Sequence, residues 1–250
     1  MNFERTSNPA FSDSRFAQAV REFAGEGQMT VQGTATKTLL LFALVVLTAT
    51  ITWKLFGVES PALTPCMIGG GIGAFVCALV CCFKQDLAMI FGPIYALCEG
   101  LLLGAVSAMY NAAFHGIVLQ AVLLTSLLAA VVFFCYRFGI LRASNTFVKV
   151  ITYATIGIGV FYLVSFVANL FGANISLFGL GWVGVVIQLI IVGIASLNLV
   201  LDFNTIENGV ESGAPAEFEW YAAFGLMVTL VWIYLEILRL LAMILGSKKD

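Results

Sequence analysis

The sequence predicts an all-α integral membrane protein, a seven-transmembrane helical bundle. Three observations carry this. Hydrophobic residues make up 61% of the chain and charged ones 10%, against about 45–50% and about 25% in soluble domains. Seven apolar runs follow one another with short breaks, at residues 38–56, 62–83, 87–110, 116–136, 147–171, 180–201 and 220–245, each near the ~20 residues that cross ~30 Å of hydrocarbon. The runs are also continuously apolar, where a barrel would alternate in ~10-residue strands. In lipid such a span satisfies its own backbone only as a helix.

Residues 1–37 form a polar N-terminal tail of mixed charge, with Arg5, Arg15, Arg21 and Lys37 set against Glu4, Asp13, Glu22 and Glu26. The tail is expected to be partly disordered or amphipathic, and the late start of the first apolar run argues against a cleaved secretory signal. Residues 38–250 form the transmembrane domain. Gly69 and Gly73 in the second run, and Gly100 and Gly104 in the third, have the spacing that lets helix backbones approach closely in lipid. The third run also holds Glu99, about 18 Å deep at 1.5 Å per residue. His115, the only histidine, falls in the short connection to the fourth run. In the sixth run, steps of three and four back from Asp202 reach Asn198, Ala195, Ile191, Gln188 and Gly184, a small and polar helix face. Residues 202–219 read as an acidic loop. The same steps around Glu236 in the last run reach Trp232, Thr229, Gly225 and Ala222 backward and Arg239 forward, one turn away and able to pair.

Placing the tail in the cytoplasm gathers Arg5, Arg15, Arg21, Lys37, Lys84, Arg137, Arg142 and Lys149 on that side and leaves Lys54, Lys248 and Lys249 outside, the asymmetry that sets membrane orientation. The last two lysines would favour the cytoplasm, which leaves a final segment that re-enters as an alternative to one that crosses.

Several chemistries are excluded. A net charge of -2 gives no basic excess for nucleic acid. The six cysteines all fall in apolar runs, where thiols behave as small hydrophobes and make no disulfide framework. One histidine cannot build a His-based triad or a His-rich zinc site. No catalytic set, enzyme activity or cofactor is expected. What calls for a reason is the ionisable groups within the spans, since a charge at mid-bilayer costs about 2.5–3.5 kcal/mol or more. Glu99, Asp202 and Glu236 are those groups. Two successive helices with acid-bearing stripes most economically turn them toward each other, and two carboxylates brought together titrate as a unit. The expectation is a proton-sensitive Asp202/Glu236 latch.

Residues 199–206 (LVLDFNTI), with Tyr234-Leu235-Glu236 and Leu238-Arg239-Leu240-Leu241 in the last run, resemble the Bax inhibitor family of membrane proteins. Residues 6–12 (TSNPAFS) and 219–224 (EWYAAF) are similar to its bacterial branch. The resemblance spans nearly the whole chain. It implies two groups of three helices around a central seventh, and a pH-sensitive calcium leak. It further implies that Asp202 pairs with Glu236 and that a basic residue ending the second helix, here Lys84, latches Asp202 in the closed state. This chain departs from some members in having Glu for the second acid and Lys for the basic residue, which lacks the bidentate fork of arginine.

The function expected is therefore a passive calcium or cation leak, with Asp202, Glu236, Lys84, Asn198, Glu99 and Arg239 along the ion pathway. Asp202 and Glu236 would be weak calcium ligands, since calcium takes six to eight oxygens and these residues offer a loose set. The rival expectation is an interaction protein that modulates a membrane protease or other membrane partner. Either would work in a lipid bilayer, with the bacterial inner membrane the expected location.

Overall fold

The structure is a computed structural model and describes residues 27–55, 60–173 and 177–247. Seven helices long and apolar enough to cross a membrane follow in order: α1 Val31–Leu55, α2 Leu63–Phe83, α3 Ala88–Ala113, α4 Ile117–Arg137, α5 Asn145–Leu170, α6 Gly181–Glu211 and α7 Phe218–Gly246. Short 3-10 turns at Gln85–Leu87 and Leu177–Leu180 lead into α3 and α6. No strand occurs among the described residues, only an isolated bridge between Gln28 and Pro215.

Local chemistry sets the helix starts. Thr30 caps α1 by accepting from the Gly33 amide at 2.9 Å, and Ser144 caps α5 by accepting from the Phe147 amide at 3.2 Å, each satisfying one of the amides a helix leaves bare at its first turn. Gly116, at a φ of 81°, turns the chain into α4. Capped at Thr30, α1 begins well before the apolar run at Thr38, so residues 31–37 of the tail expected over 1–37 are helical, and residues 1–26 of it lie outside the described residues.

Two further differences from the sequence reading matter for the site. The sixth helix does not end at Asp202 but continues to Glu211, so most of the expected acidic loop is helical and only residues 212–217 connect α6 to α7. Phe203, Ile206 and Val210 continue the apolar face at helical spacing, and Ile206 is buried against Met29 and Ala222. The last segment has no break at which it could turn back: α7 is one helix of 29 residues, about 43 Å long, and apolar enough to cross.

The helices form two groups. α3 packs on both α1 and α2, α6 packs on α4 and α5, and contacts between the groups are sparse. The seventh helix fills the space between them. It touches α6, α1, α4 and α3 extensively and reaches α5 through Tyr162. One core cluster joins α1, α2 and α3 to α7 through Leu41, Cys77, Tyr95 and Met227, with Tyr95 edge-on to Phe224 at 5.0 Å. The other joins α4 and α6 to α7 through Ala121, Leu199 and Ile233. By contrast, α5 buries only Ile151 and Ser165. Six helices thus surround a central C-terminal one.

Close approach within the first group rests on glycine. A Cβ on Gly100 would stand 2.6 Å from the Val45 carbonyl oxygen, and one on Gly104 would stand 2.5 Å from that of Ala49. Both glycines therefore hold α3 against α1. On α2 the contact surface is turned by one residue from the expected one. A Cβ on Gly70 would stand 2.7 Å from the Cys98 carbonyl oxygen and one on Gly73 2.8 Å from the Cys98 sulfur, while Gly69 faces open space. Gly104→Ala is expected to destabilise the bundle by about 1–3 kcal/mol, as overpacking does, and Gly69→Ala to leave it unchanged; thermal unfolding in detergent measures both.

Candidate intramembrane acid site

Glu236 is 2% exposed, and four side chains on three helices serve it. Its Oε2 accepts from Tyr162 Oη on α5 at 2.9 Å, from Gln188 Nε2 on α6 at 2.5 Å and from Arg239 Nη1 on α7 at 3.1 Å. Its Oε1 accepts from Trp232 Nε1, one turn earlier on α7, at 2.9 Å. Gln188 also donates to the Glu236 backbone carbonyl at 3.1 Å. Arg239 donates to Tyr162 Oη at 2.6 Å and lies 4.8 Å from the centre of that ring. The expected pairing of Glu236 with Arg239 is present, within a network that the helix-face reading only half contained. Gln188 and Trp232 lay on the predicted stripes. Tyr162 gave no signal, because an aromatic in an apolar run reads as lipid-facing or core.

A carboxylate served by four donors has its charge answered inside the protein, which is how an intramembrane ion is tolerated. It also has little lone-pair capacity left for a metal. Among the described residues no group of three or more His, Cys, Asp or Glu gathers as a metal site.

Asp202 stands elsewhere, and no hydrogen bond joins it to Glu236. Its neighbour on α7 is the Thr229 hydroxyl, and seven residues of helix, about 10 Å of rise, separate Thr229 from Glu236. Ala195 and Leu199 on α6 and Ile233 on α7, all fully buried, fill the space between. The direct Asp202/Glu236 latch is therefore absent from this conformation. The cause is register: α6 and α7 run antiparallel, and the pairing of Gln188 with Glu236 sets Asp202 against an earlier turn of α7. Asp202 Oδ2 is buried without a hydrogen-bond partner.

The remaining candidates divide. Asn198 turns to α5, where its amide nitrogen donates to Thr155 Oγ1 at 2.9 Å. Glu99 is 6% exposed and bonded to Tyr95 on its own helix, apart from both other acids. Lys84 is exposed just past the end of α2 and has no ion pair among the described residues. The expected latch of Lys84 on Asp202 is not formed, because α2 packs on α3 while Asp202 is held between α6 and α7.

A different lysine makes the ion pair at that end of the bundle. Lys37 on α1 is salt-bridged to Glu219 in the first turn of α7, and Glu219 also accepts from the Thr30 amide at 2.8 Å and the Thr30 hydroxyl at 3.0 Å. Lys37 lies 5.5 Å from the Trp220 ring. The backbone joins in: the Met29 amide donates to Ala214 O at 2.8 Å and the Ala216 amide to Gly27 O at 3.2 Å. The sequence reading placed Lys37 in the polar tail and Glu219 at the end of the acidic loop, and paired neither. A capping threonine within helical reach of a lysine was the available signal, but its partner is 189 residues away.

Glu236→Gln is expected to cost about 2 kcal/mol, since hydrogen bonds to charged groups contribute about 1.5–3 kcal/mol and Arg239 would lose its counter-charge. In Glu236→Gln/Arg239→Gln the loss should be smaller than the sum of the single losses, and an additive result in detergent unfolding would refute the coupling. Lys37→Ala is expected to cost about 1 kcal/mol by the same measurement, its side chain being 22% exposed and the pair partly screened.

Comparison with known proteins leads to one finding. No curated protein sequence and no solved structure matches the chain. A family model described as Bax inhibitor 1 like matches residues 8–246. Since that match runs from within the polar tail to the last turn of α7, the chain belongs to the Bax inhibitor family of membrane proteins.

Proposed function

We propose that the protein is a passive leak for cations, calcium foremost, whose opening responds to protons on two intramembrane acids working in series. The observation that carries this reading is the buried, unpartnered Oδ2 of Asp202. An unsatisfied buried acceptor costs about 1–3 kcal/mol, and such groups are rare in folded proteins. A carboxylate oxygen with free lone pairs between two transmembrane helices is suited to meet a cation or a proton. With the Thr229 hydroxyl beside it, it offers far fewer than the six to eight oxygens of a tight calcium site, and weak binding lets an ion leave again.

In this reading the present conformation is shut. The network of Glu236, Arg239, Tyr162 and Gln188 closes one half of the bundle, and Asp202 waits in the other. Loss of the Glu236–Arg239 pair would release the ties that hold α5, α6 and α7 together here. The two acids so act as separate stations rather than as one pair. The activity is transport and involves no chemistry on a substrate.

We take the end with Lys37, Lys84, Arg137, Arg142 and Lys149 as cytoplasmic, with the N-terminus, because only Lys54 stands against them at the far end of the described helices. The similarity to the bacterial branch favours the inner membrane.

Calcium entry into liposomes holding the purified full chain, read with a trapped calcium dye from mildly acid to neutral pH, tests the proposal. Flux should change severalfold with pH in the wild type and become nearly flat in Asp202→Asn. Absence of flux above protein-free liposomes, or an unaltered pH profile in Asp202→Asn, would overturn it.

A further inference from the structure

Away from the acids, a crevice of about 440 Å³ opens between α1, α3, α4 and α7, within the range of roughly 300–1,000 Å³ typical of small-molecule sites. It lies where the two helix groups part, since α1 and α4 hardly touch. Its rim includes Phe42, Val46 and Val122, each more than 40% exposed on the outer surface of the bundle, so it opens sideways toward lipid.

Three features narrow what fits there. The first is polarity. The hydroxyls in its wall are already used: Thr50 donates to Val46 O at 2.7 Å, Thr125 to Ala121 O at 2.8 Å and Ser126 to Val122 O at 2.8 Å, while Ser107 and Tyr234 bond each other at 2.7 Å. A guest therefore meets an apolar surface, which suits a hydrocarbon chain and not an ion or a sugar. The second is length. From Phe42 to Lys54 along α1 the crevice extends about 18 Å, close to the roughly 15 Å that one leaflet contributes to the hydrocarbon core. The third is charge. Lys54 stands at the end of the crevice, in the last turn of α1, and is exposed. It has no ion-pair partner among the described residues.

We propose that this crevice binds one acyl chain of an anionic phospholipid, with the lipid phosphate held by Lys54. The alternative for Lys54 is a non-specific interfacial anchor, as lysines at helix ends often are. An anchor would not discriminate between headgroups in concert with a crevice. A lipid bound here would bridge the two helix groups at the seam where they touch least, and this holds whether or not the acids conduct.

The test is native mass spectrometry of the delipidated full chain in detergent, offered equal amounts of phosphatidylglycerol and phosphatidylcholine with the same acyl chains. The wild type should keep phosphatidylglycerol severalfold more than phosphatidylcholine. Lys54→Ala should bring the two to parity. Val122→Trp and Ser126→Phe, which fill the crevice from α4 at positions facing away from the acid network, should lose both lipids, and an unfolding midpoint near that of the wild type identifies which of the two is folded and decisive. Equal retention by the wild type, a preference that survives Lys54→Ala, or retention undiminished in the folded crevice-filling variant would each overturn the proposal.

Discussion

A charge inside a bilayer has to be answered by the protein itself, and the arrangement around α7 follows from that constraint. Glu236 sits on the central helix at 2% exposure. It can remain there because α5, α6 and α7 each bring a donor to it. Tyr162 joins the two halves of the answer by donating to the acid and accepting from Arg239. Gln188, fully buried, ties the same acid to α6 through side chain and backbone together. Those bonds fix the register of α6 on α7, and that register decides where Asp202 falls.

The two ends of α7 are held by different means. Near its start, Glu219 is gripped by Lys37 and Thr30 of α1, with backbone bonds from Met29 and Ala216 closing the contact. Farther along, the Glu236 network reaches α5 and α6. The first grip ties α7 to one group of three helices and the second ties it to the other. Between them, apart from the Ser107–Tyr234 bond and the Thr229 hydroxyl beside Asp202, the contacts are mostly apolar, as in Tyr95 against Phe224 and Leu199 beside Ile233, and apolar contact between helices confers little preference over contact with lipid tails. Direction and register in this bundle therefore come from its few polar bonds and its close glycine contacts.

Spans, class and the small faces were legible in the sequence because they depend on composition and on period. Seven runs became seven helices, and Gly184, Gln188, Ile191 and Ala195 are buried on the face that spacing assigned to them. Gly100 and Gly104 contact α1 as their spacing suggested. What was not legible was long-range register. Nothing local to Asp202 says that α6 runs on to Glu211, although Ile206 and Val210 hint at it. Nothing local to Glu236 says that its partners are Tyr162 and Gln188 rather than Asp202. Such pairings are decided by where whole helices stop sliding against each other, and a single buried donor such as the Gln188 amide can decide it. Lys84 and Lys37 show the same limit: both lie near the same end of the bundle, and only the packing of α1 beside α7 gives Lys37 the acid.

The axis of this bundle is also the last of its seven helices to be made. Chains emerge N-terminal end first, so six spans enter the membrane before the helix they surround exists. Until α7 arrives, Gln188 and Tyr162 have no carboxylate to serve, Lys37 has no counter-ion, and the inner surfaces of both helix groups face lipid or each other. Assembly must therefore finish by late insertion of a core rather than by growth from one, and any chain that terminates before α7 leaves six helices with nothing to enclose.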